Sequence, residues 1–192
     1  MRNDTSFARL VSLACHDLRT PLATVSGFAT TLIRTGQLED PTDRYVGMIE
    51  TAAGQMAELL EQLGLVARIE GGRYEPALRE VDTLALAHAA AEHLGEERVV
   101  VSGAGATVEV DLTATQRAVS ALVQAALRHG GLDEVSLEVA GPELRLSPVT
   151  DASRPVLLGE ELRELGAATA GILIRHAGGE VAADGGVVRI RL

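Results

Sequence analysis

A heptad pattern near the N-terminus constrains the fold of this chain more than any other feature of its 192 residues. Apolar residues recur there in alternating steps of four and three, the 3.5-residue period of helices that pack along a seam. The seam positions are Phe7, Val11, Ala14, Leu18, Pro21, Val25, Phe28 and Leu32. The pattern predicts one long helix over residues 6–35, with Asn3, Asp4, Thr5 and Ser6 as N-cap candidates and Gly36 as its C-terminal stop.

A second segment repeats the same period and predicts a partner for the first helix. Its apolar positions are Tyr45, Ile49, Ala52, Met56, Leu59, Leu63 and Val66. Asp40 and Pro41 before it are typical of an N-cap followed by proline at the first helical position. Two matched seams with a short connection predict an antiparallel helical hairpin. Because one hairpin cannot bury both seams, we predict a homodimer, in which two hairpins form a four-helix bundle.

The stretch Arg68-Ile69-Glu70-Gly71-Gly72 ends this pattern and predicts a domain boundary between residues 1–72 and 73–192. Beyond it, helices are predicted at 83–94, 113–129 and 160–176, with Thr113 as a cap. Extended segments are predicted at 74–81, 99–102, 107–110, 135–139, 144–147, 181–183 and 187–192, with Gly103-Ala104-Gly105 as a turn. We therefore predict the α+β class: a helical hairpin followed by an α/β sandwich with one mixed sheet.

Composition narrows the functional classes. A formal net charge of −10 disfavours a nucleic-acid partner, since the phosphate backbone would be repelled. Cys15 is the single cysteine, so an internal disulfide is excluded and a reducing, cytoplasmic location is predicted. The chain has no apolar run of about 20 residues and no secretion signal, so we predict no membrane association. His88 and His93 are five residues apart, not four, and we predict no metal site.

His16 is the strongest candidate for chemistry in the first helix. It falls at heptad position f, which points away from the seam into solvent. Asp17 follows it, and Thr20 lies four residues later on the same helix face. An exposed imidazole near an acid is suited to nucleophilic chemistry through its unprotonated nitrogen. From its position alone, His16 could equally be an ordinary solvated residue, Asp17 a solvated acid and Thr20 a neutral surface residue.

The sequence His16-Asp17-Leu18-Arg19-Thr20-Pro21-Leu22 resembles the H-box of sensor histidine kinases. The passage from Arg68 to Asp82 is similar to the family's passage from dimerisation domain to ATPase domain. The resemblance implies that His16 is the phospho-acceptor, that Asp17 assists proton transfer and that Thr20 positions water for dephosphorylating a partner regulator. It also implies a basic role for Arg19 and a kink at Pro21.

The second half resembles the family's ATPase domain in layout but departs from it at three motifs. Ala125 stands where the family has the asparagine that coordinates Mg²⁺, and a methyl group cannot be a ligand. The residues 151–155 lack both glycines of the family's adenine-site motif, and Leu165-Gly166-Ala167-Ala168-Thr169 departs from its next glycine box. Too little chain separates Asp151 from Gly166 for a nucleotide lid. We therefore expect that neither ATP nor Mg²⁺ binds this domain.

An acceptor histidine attached to such a domain resembles the dimeric histidine phosphotransferases of bacterial phosphorelays. We predict that His16 passes a phosphoryl group between aspartates of response-regulator receiver domains, which supply their own Mg²⁺ and dock beside Ala23 and Gly27. Two alternatives stay open. One is an active sensor histidine kinase, or a fragment of one, that phosphorylates His16 from ATP. The other is a non-enzymatic dimeric adaptor.

Overall fold

The computed structural model describes residues 5–36, 38, 40–92, 94, 95 and 97–192, with the side chains of the first helix described at Ala8 and from Val11 onward. Asn3, Asp4 and His93 lie outside the described residues. The chain forms two compact units, Met1–Tyr74 and Glu75–Leu192, hereafter the helical unit and the sandwich unit. The division falls two residues beyond the predicted boundary at Gly72.

The helical unit contains two long helices, α1 (Thr5–Thr35) and α2 (Thr42–Glu70). α1 continues through Pro21 and ends where predicted, because Gly36 adopts a left-handed φ of +62°. α2 begins one residue later than predicted: Pro41 is its N-cap, not its first helical residue, and the Pro41 carbonyl accepts from the Tyr45 amide at 3.1 Å. Helix α2 then runs to Glu70, where Gly71 caps it.

The two helices pack along a stripe of mostly small residues, not along the predicted seams. The buried residues among the described side chains are Ala8, Cys15, Leu22 and Ala29 of α1 and Val46, Ala53, Gly64, Ala67 and Ile69 of α2. Most of the seam side chains that the structure describes stay exposed, as Leu18 (52%), Phe28 (68%) and Met56 (48%) illustrate. The reason is geometric: one partner helix covers only one flank of each helix, and the seams face outward. Neither α1, α2 nor any other described helix combines the length and apolarity needed to cross a membrane.

The sandwich unit alternates strands and helices. In chain order they are β1 (Leu78–Asp82), α3 (Thr83–Glu92), β2 (Val99–Gly105), β3 (Thr107–Asp111), α4 (Leu112–Gly130), β4 (Val135–Gly141), β5 (Glu143–Ser147), α5 (Arg154–Leu157), α6 (Leu165–His176), β6 (Glu180–Asp184) and β7 (Val187–Arg191). Five strands form a mixed sheet in the order β2-β4-β5-β7-β6, in which only β2 and β4 pair in parallel. β1 and β3 form a separate antiparallel pair.

Helices α3, α4 and α6 contact strands of the mixed sheet, and the core lies between these layers. Large aliphatic side chains fill it, with Leu122, Leu137, Leu144, Leu146, Ile174 and Ile190 almost fully buried. This arrangement confirms the predicted fold class, a helical hairpin followed by an α/β sheet domain.

Three local predictions in the sandwich unit were wrong. Gly103-Ala104-Gly105 is not a turn but the end of β2, where Gly103 (φ +103°) lies so close to Val139 that a side chain would clash. The cap of α4 is Asp111, whose carboxylate accepts from the Ala114 amide at 3.1 Å, and not Thr113. The helix predicted at 160–176 begins only at Leu165, and the short α5 precedes it.

Candidate functional site

His16 projects from α1 into solvent, as its heptad position predicted. Its side chain is 78% exposed and that of Asp17 is 67% exposed. The His16 Nδ1 atom lies 3.2 Å from Asp17 Oδ1, so the structure brings these two candidate residues together. Position f lies on the side of α1 opposite the seam and outside the flank that packs on α2, and this leaves the imidazole open to a partner molecule.

This contact favours one protonation pattern of the ring. In the tautomer with the proton on Nδ1, His16 donates to the Asp17 carboxylate. The Nε2 atom then keeps its lone pair and faces solvent, as a nucleophile requires. Both side chains are exposed, so the contact orients the ring without burying a charge. The pair can therefore act as an accessible nucleophile with an acidic neighbour.

Thr20, the third candidate, is an exposed residue one helical turn beyond His16. Its carbonyl accepts from Thr24 Oγ1 at 3.1 Å. Cys15 points the opposite way: its side chain is 2% exposed and packs towards Gly64 of α2. Cys15 is thus a packing residue between the two helices and does not pair with the His16 imidazole.

The surface beside His16 is smooth and partly apolar. Leu13 is 57% exposed one turn before the histidine. Ala23 and Gly27 are also exposed, and no heavy atom lies within 4 Å of the point where a Cβ of Gly27 would be. Another helix can therefore approach α1 closely along this side.

The residues compared above with nucleotide-binding motifs occupy different environments in the sandwich unit. Ala125 is fully buried in α4. The Asp151 side chain is 96% exposed and forms an ion pair with Arg154 at 3.3 Å. Ser153 is buried, and its hydroxyl accepts from the Thr150 amide at 3.1 Å. A methyl group cannot be a ligand of Mg²⁺. The expectation that neither ATP nor Mg²⁺ binds this unit stays a prediction.

The segment that connects α5 to α6 is held to the end of α4 by one carboxylate. Glu164 Oε2 lies 2.9 Å from His129 Nε2, and Glu164 Oε1 lies 3.7 Å from Arg128. The Glu164 side chain is only 12% exposed. An acid at the start of α6 and bases at the end of α4 also complement both helix dipoles. The sequence did not reveal this cluster, because Glu164 lies 35 residues from His129 along the chain.

Residues 8–72 match the sequence model of the His Kinase A (phospho-acceptor) domain. This range contains His16 and most of both helices. Over these residues the helical unit is similar to a histidine kinase phospho-acceptor domain. Over 72% of its length the chain is also 28% identical to an uncharacterized sensor-like histidine kinase of Rhizobium meliloti (strain 1021). The chain spans only 29% of that relative.

Two solved structures share the fold. ShkA, solved full-length in complex with AMPPNP, superposes with a TM-score of 0.69 at 20% identity, over 95% of this chain and 44% of ShkA. The histidine kinase AdeS of Acinetobacter baumannii superposes with a TM-score of 0.57 at 17% identity, over 91% of this chain and 94% of AdeS.

The sequence comparisons support a relationship of residues 8–72 to sensor histidine kinases, and the solved structures show that the fold of the chain is shared. They do not single out the histidine phosphotransferases, so that finer resemblance stays a prediction. They also do not exclude the ATP-dependent activity that the sequence led us to doubt.

Proposed function

We propose that this chain is a histidine-kinase-type protein of a two-component system and that His16 carries the phosphoryl group. One observation supports this most directly. The exposed His16 imidazole, with Nδ1 3.2 Å from the Asp17 carboxylate, lies within the segment that matches the phospho-acceptor domain. Asp17 keeps the ring proton on Nδ1, and Nε2 is the acceptor atom.

The step itself is a phosphoryl transfer between an aspartate of a receiver domain and His16. The lone pair of Nε2 attacks phosphorus and forms the P–N bond. The P–O bond of the acyl phosphate breaks, and its electron pair leaves on the receiver carboxylate. Transfer to a second receiver reverses these events. Mg²⁺ is held by the receiver, and Thr20 positions the water that hydrolyses a receiver acyl phosphate.

The phosphoryl donor has two candidates, each favoured by a different observation. The buried Ala125 and the exposed Asp151 favour a receiver donor, because neither can contribute to a nucleotide site as placed. The named relatives favour ATP, since one is named a sensor-like histidine kinase and ShkA was solved with AMPPNP. Phosphorylation at His16 is common to both candidates, and the proposal rests on it.

The exposed seam of the helical unit supports a homodimer as the working form. His Kinase A domains typically form homodimers and pair with response regulators. Leu18, Val25 and Phe28 are 46–68% exposed in the single chain. A second copy would cover these side chains, and each buried leucine, valine or phenylalanine stabilises the assembly by about 1.5–3 kcal/mol.

The test offers the full chain two phosphoryl donors in parallel. One reaction contains ATP labelled on its γ-phosphate with Mg²⁺, and the other contains a phosphorylated receiver domain with Mg²⁺. We expect label on the wild type from the receiver and none on His16→Ala. His88→Ala is the matched control, because His88 is also an exposed helical histidine.

Each result has a distinct meaning. Label from the receiver alone supports the phosphotransferase, and label from ATP that depends on His16 supports the kinase. If neither a panel of receivers nor ATP labels His16, the proposal is wrong and the adaptor alternative replaces it. Label that persists in His16→Ala would place the acceptor elsewhere.

A further inference from the structure

Two arginines from different helices meet beside Gly64 in the helical unit. Arg68 Nη1 of α2 lies 3.5 Å from the point where a Cβ of Gly64 would be, and Arg19 Nη2 of α1 lies 3.7 Å from the same point. The Cβ of Cys15 lies 3.8 Å from it. The missing side chain of Gly64 thus leaves the space in which both guanidinium groups lie.

Helix geometry explains why the two arginine side chains meet beside Gly64. Long side chains on a helix lean towards its N-terminus, over the preceding turn. Arg19 therefore reaches back towards Cys15, and Arg68 reaches back towards Gly64, while the antiparallel hairpin places Cys15 opposite Gly64. His16 is the next residue after Cys15. Arg19 is three residues from His16, a spacing at which Cβ atoms are about 5–6 Å apart.

The charge of this pair is not balanced locally. No ion pair is described for either Arg19 or Arg68 among residues 5–36, 38, 40–92, 94, 95 and 97–192, at N–O distances up to 4.0 Å. Two like charges held together repel each other and attract an anion. Guanidinium groups present paired N–H donors that match phosphate oxygens, and Arg19 is exposed while Arg68 is half-buried.

We propose that Arg19 and Arg68 form a two-arginine clamp that binds the phosphoryl group on His16. The proposal rests on the proposed function and adds a binding residue from the second helix. The clamp holds the phosphoryl oxygens beside α2. It also disfavours a proton on Nδ1 of the phosphorylated ring, because the protonated ring would place a positive charge next to two others. Since ring protonation accelerates loss of the phosphoryl group, the clamp lengthens the lifetime of phosphohistidine.

In the test His16 is phosphorylated by a chemical reagent, so that the result does not depend on any biological phosphoryl donor. Potassium phosphoramidate phosphorylates exposed imidazoles: the P–N bond to ammonia breaks as the P–N bond to the ring forms. After the reagent is removed from the full chain, the loss of phosphohistidine is followed by ³¹P NMR at constant pH. His16→Ala, treated in the same way, gives the contribution of the other histidines.

We expect Arg19→Gln and Arg68→Gln each to shorten the lifetime by about two- to five-fold, the range of a partly exposed ion pair. The lifetime of phosphohistidine should be shorter in the double variant than in either single variant. The lifetime in Arg68→Lys should lie between those of the wild type and Arg68→Gln, because lysine keeps the charge but lacks the paired donors. In 0.5 M salt the differences should shrink, since exposed charges are then screened.

Arg34→Gln and Arg44→Gln are the matched controls, because they remove the same charge from the same two helices far from His16 along the chain. Equal lifetimes in wild type and double variant, or an equal loss in the controls, would overturn the clamp. Thermal unfolding by circular dichroism shows whether each variant keeps its hairpin. Failure of the donor assays above would reject the proposed function and leave this lifetime difference unaffected, so the two outcomes are distinguishable.

Discussion

The two units bury their apolar residues in different ways. The sandwich unit closes its core within one chain, with Leu122, Leu144 and Ile190 fully buried between sheet and helices. The helical unit buries mainly small residues, such as Ala29 and Ala53, and leaves its largest apolar side chains exposed. An exposed apolar face of this kind marks an interaction surface. The comparison teaches that the sandwich unit closes its core within one chain, whereas the helical unit leaves an apolar face open to another molecule.

The two units also differ in net charge. Residues 1–74 contain seven arginines and nine acids, whereas residues 75–192 contain ten arginines and eighteen acids. Most of the net negative charge therefore lies in the sandwich unit. Because the helical unit is close to neutral, electrostatic repulsion opposes its self-association only weakly.

The largest effect that would test this comparison is expected from Leu18→Glu. In the dimer the new carboxylate would be buried without a partner, at a cost of about 3–5 kcal/mol, so the variant should be monomeric. Sedimentation equilibrium measures the change. Leu13→Glu is the control, because Leu13 is equally exposed (57%) but lies off the seam, and it should stay a dimer. A Leu18→Glu variant that remains a stable dimer contradicts the four-helix bundle.

A smaller effect, confined to the sandwich unit, is expected from Leu144→Ala. Leu144 is fully buried in β5, and a leucine-to-alanine change in a core costs about 2–5 kcal/mol. Hydrogen exchange in peptides from β4 and β5 should accelerate accordingly, while the oligomeric state stays unchanged. The control Val100→Ala removes a half-exposed side chain and should cost less than about 0.5 kcal/mol. Loss of the dimer in Leu144→Ala would show that the units are not independent.

The smallest effect is expected from Glu164→Gln, which weakens the link between α4 and α6. Loss of the charge opposite His129 and Arg128 should cost about 1–2 kcal/mol, because the carboxylate is nearly buried. Faster hydrogen exchange at the start of α6 measures this. Glu161→Gln is the control, since its ion pair with Arg163 is more exposed. Equal exchange in both variants would mean that Glu164 does not hold the segment.

The sequence predicted the helical hairpin well because the heptad period is a local signal. It could not show which stripe packs within one chain. Ala8, Cys15, Leu22 and Ala29 also recur every seven residues, so the seam and its flank share one period. Only the position of the second helix decides between them.

The errors in the sandwich unit have a similar cause. Gly103 and Gly105 are typical of a turn, but the parallel pairing of β2 with β4 places them at the end of a strand. Asp111 and Thr113 are both good caps, and the end of β3 selects Asp111. His16 and Asp17 were found because they are adjacent in a local motif. The bond between His129 and Glu164 joins distant segments and leaves no local signal.

The reactivity of Cys15 reports the separation of α1 from α2. It is the only thiol in the chain, and its side chain is 2% exposed against α2. A thiol reagent can therefore react only in molecules whose helices have separated at the level of His16. When closing is faster than labelling, the labelling rate equals the intrinsic thiol rate multiplied by the fraction open. Alkylation of the unmodified protein thus measures the fraction of molecules in which α1 and α2 have separated beside His16.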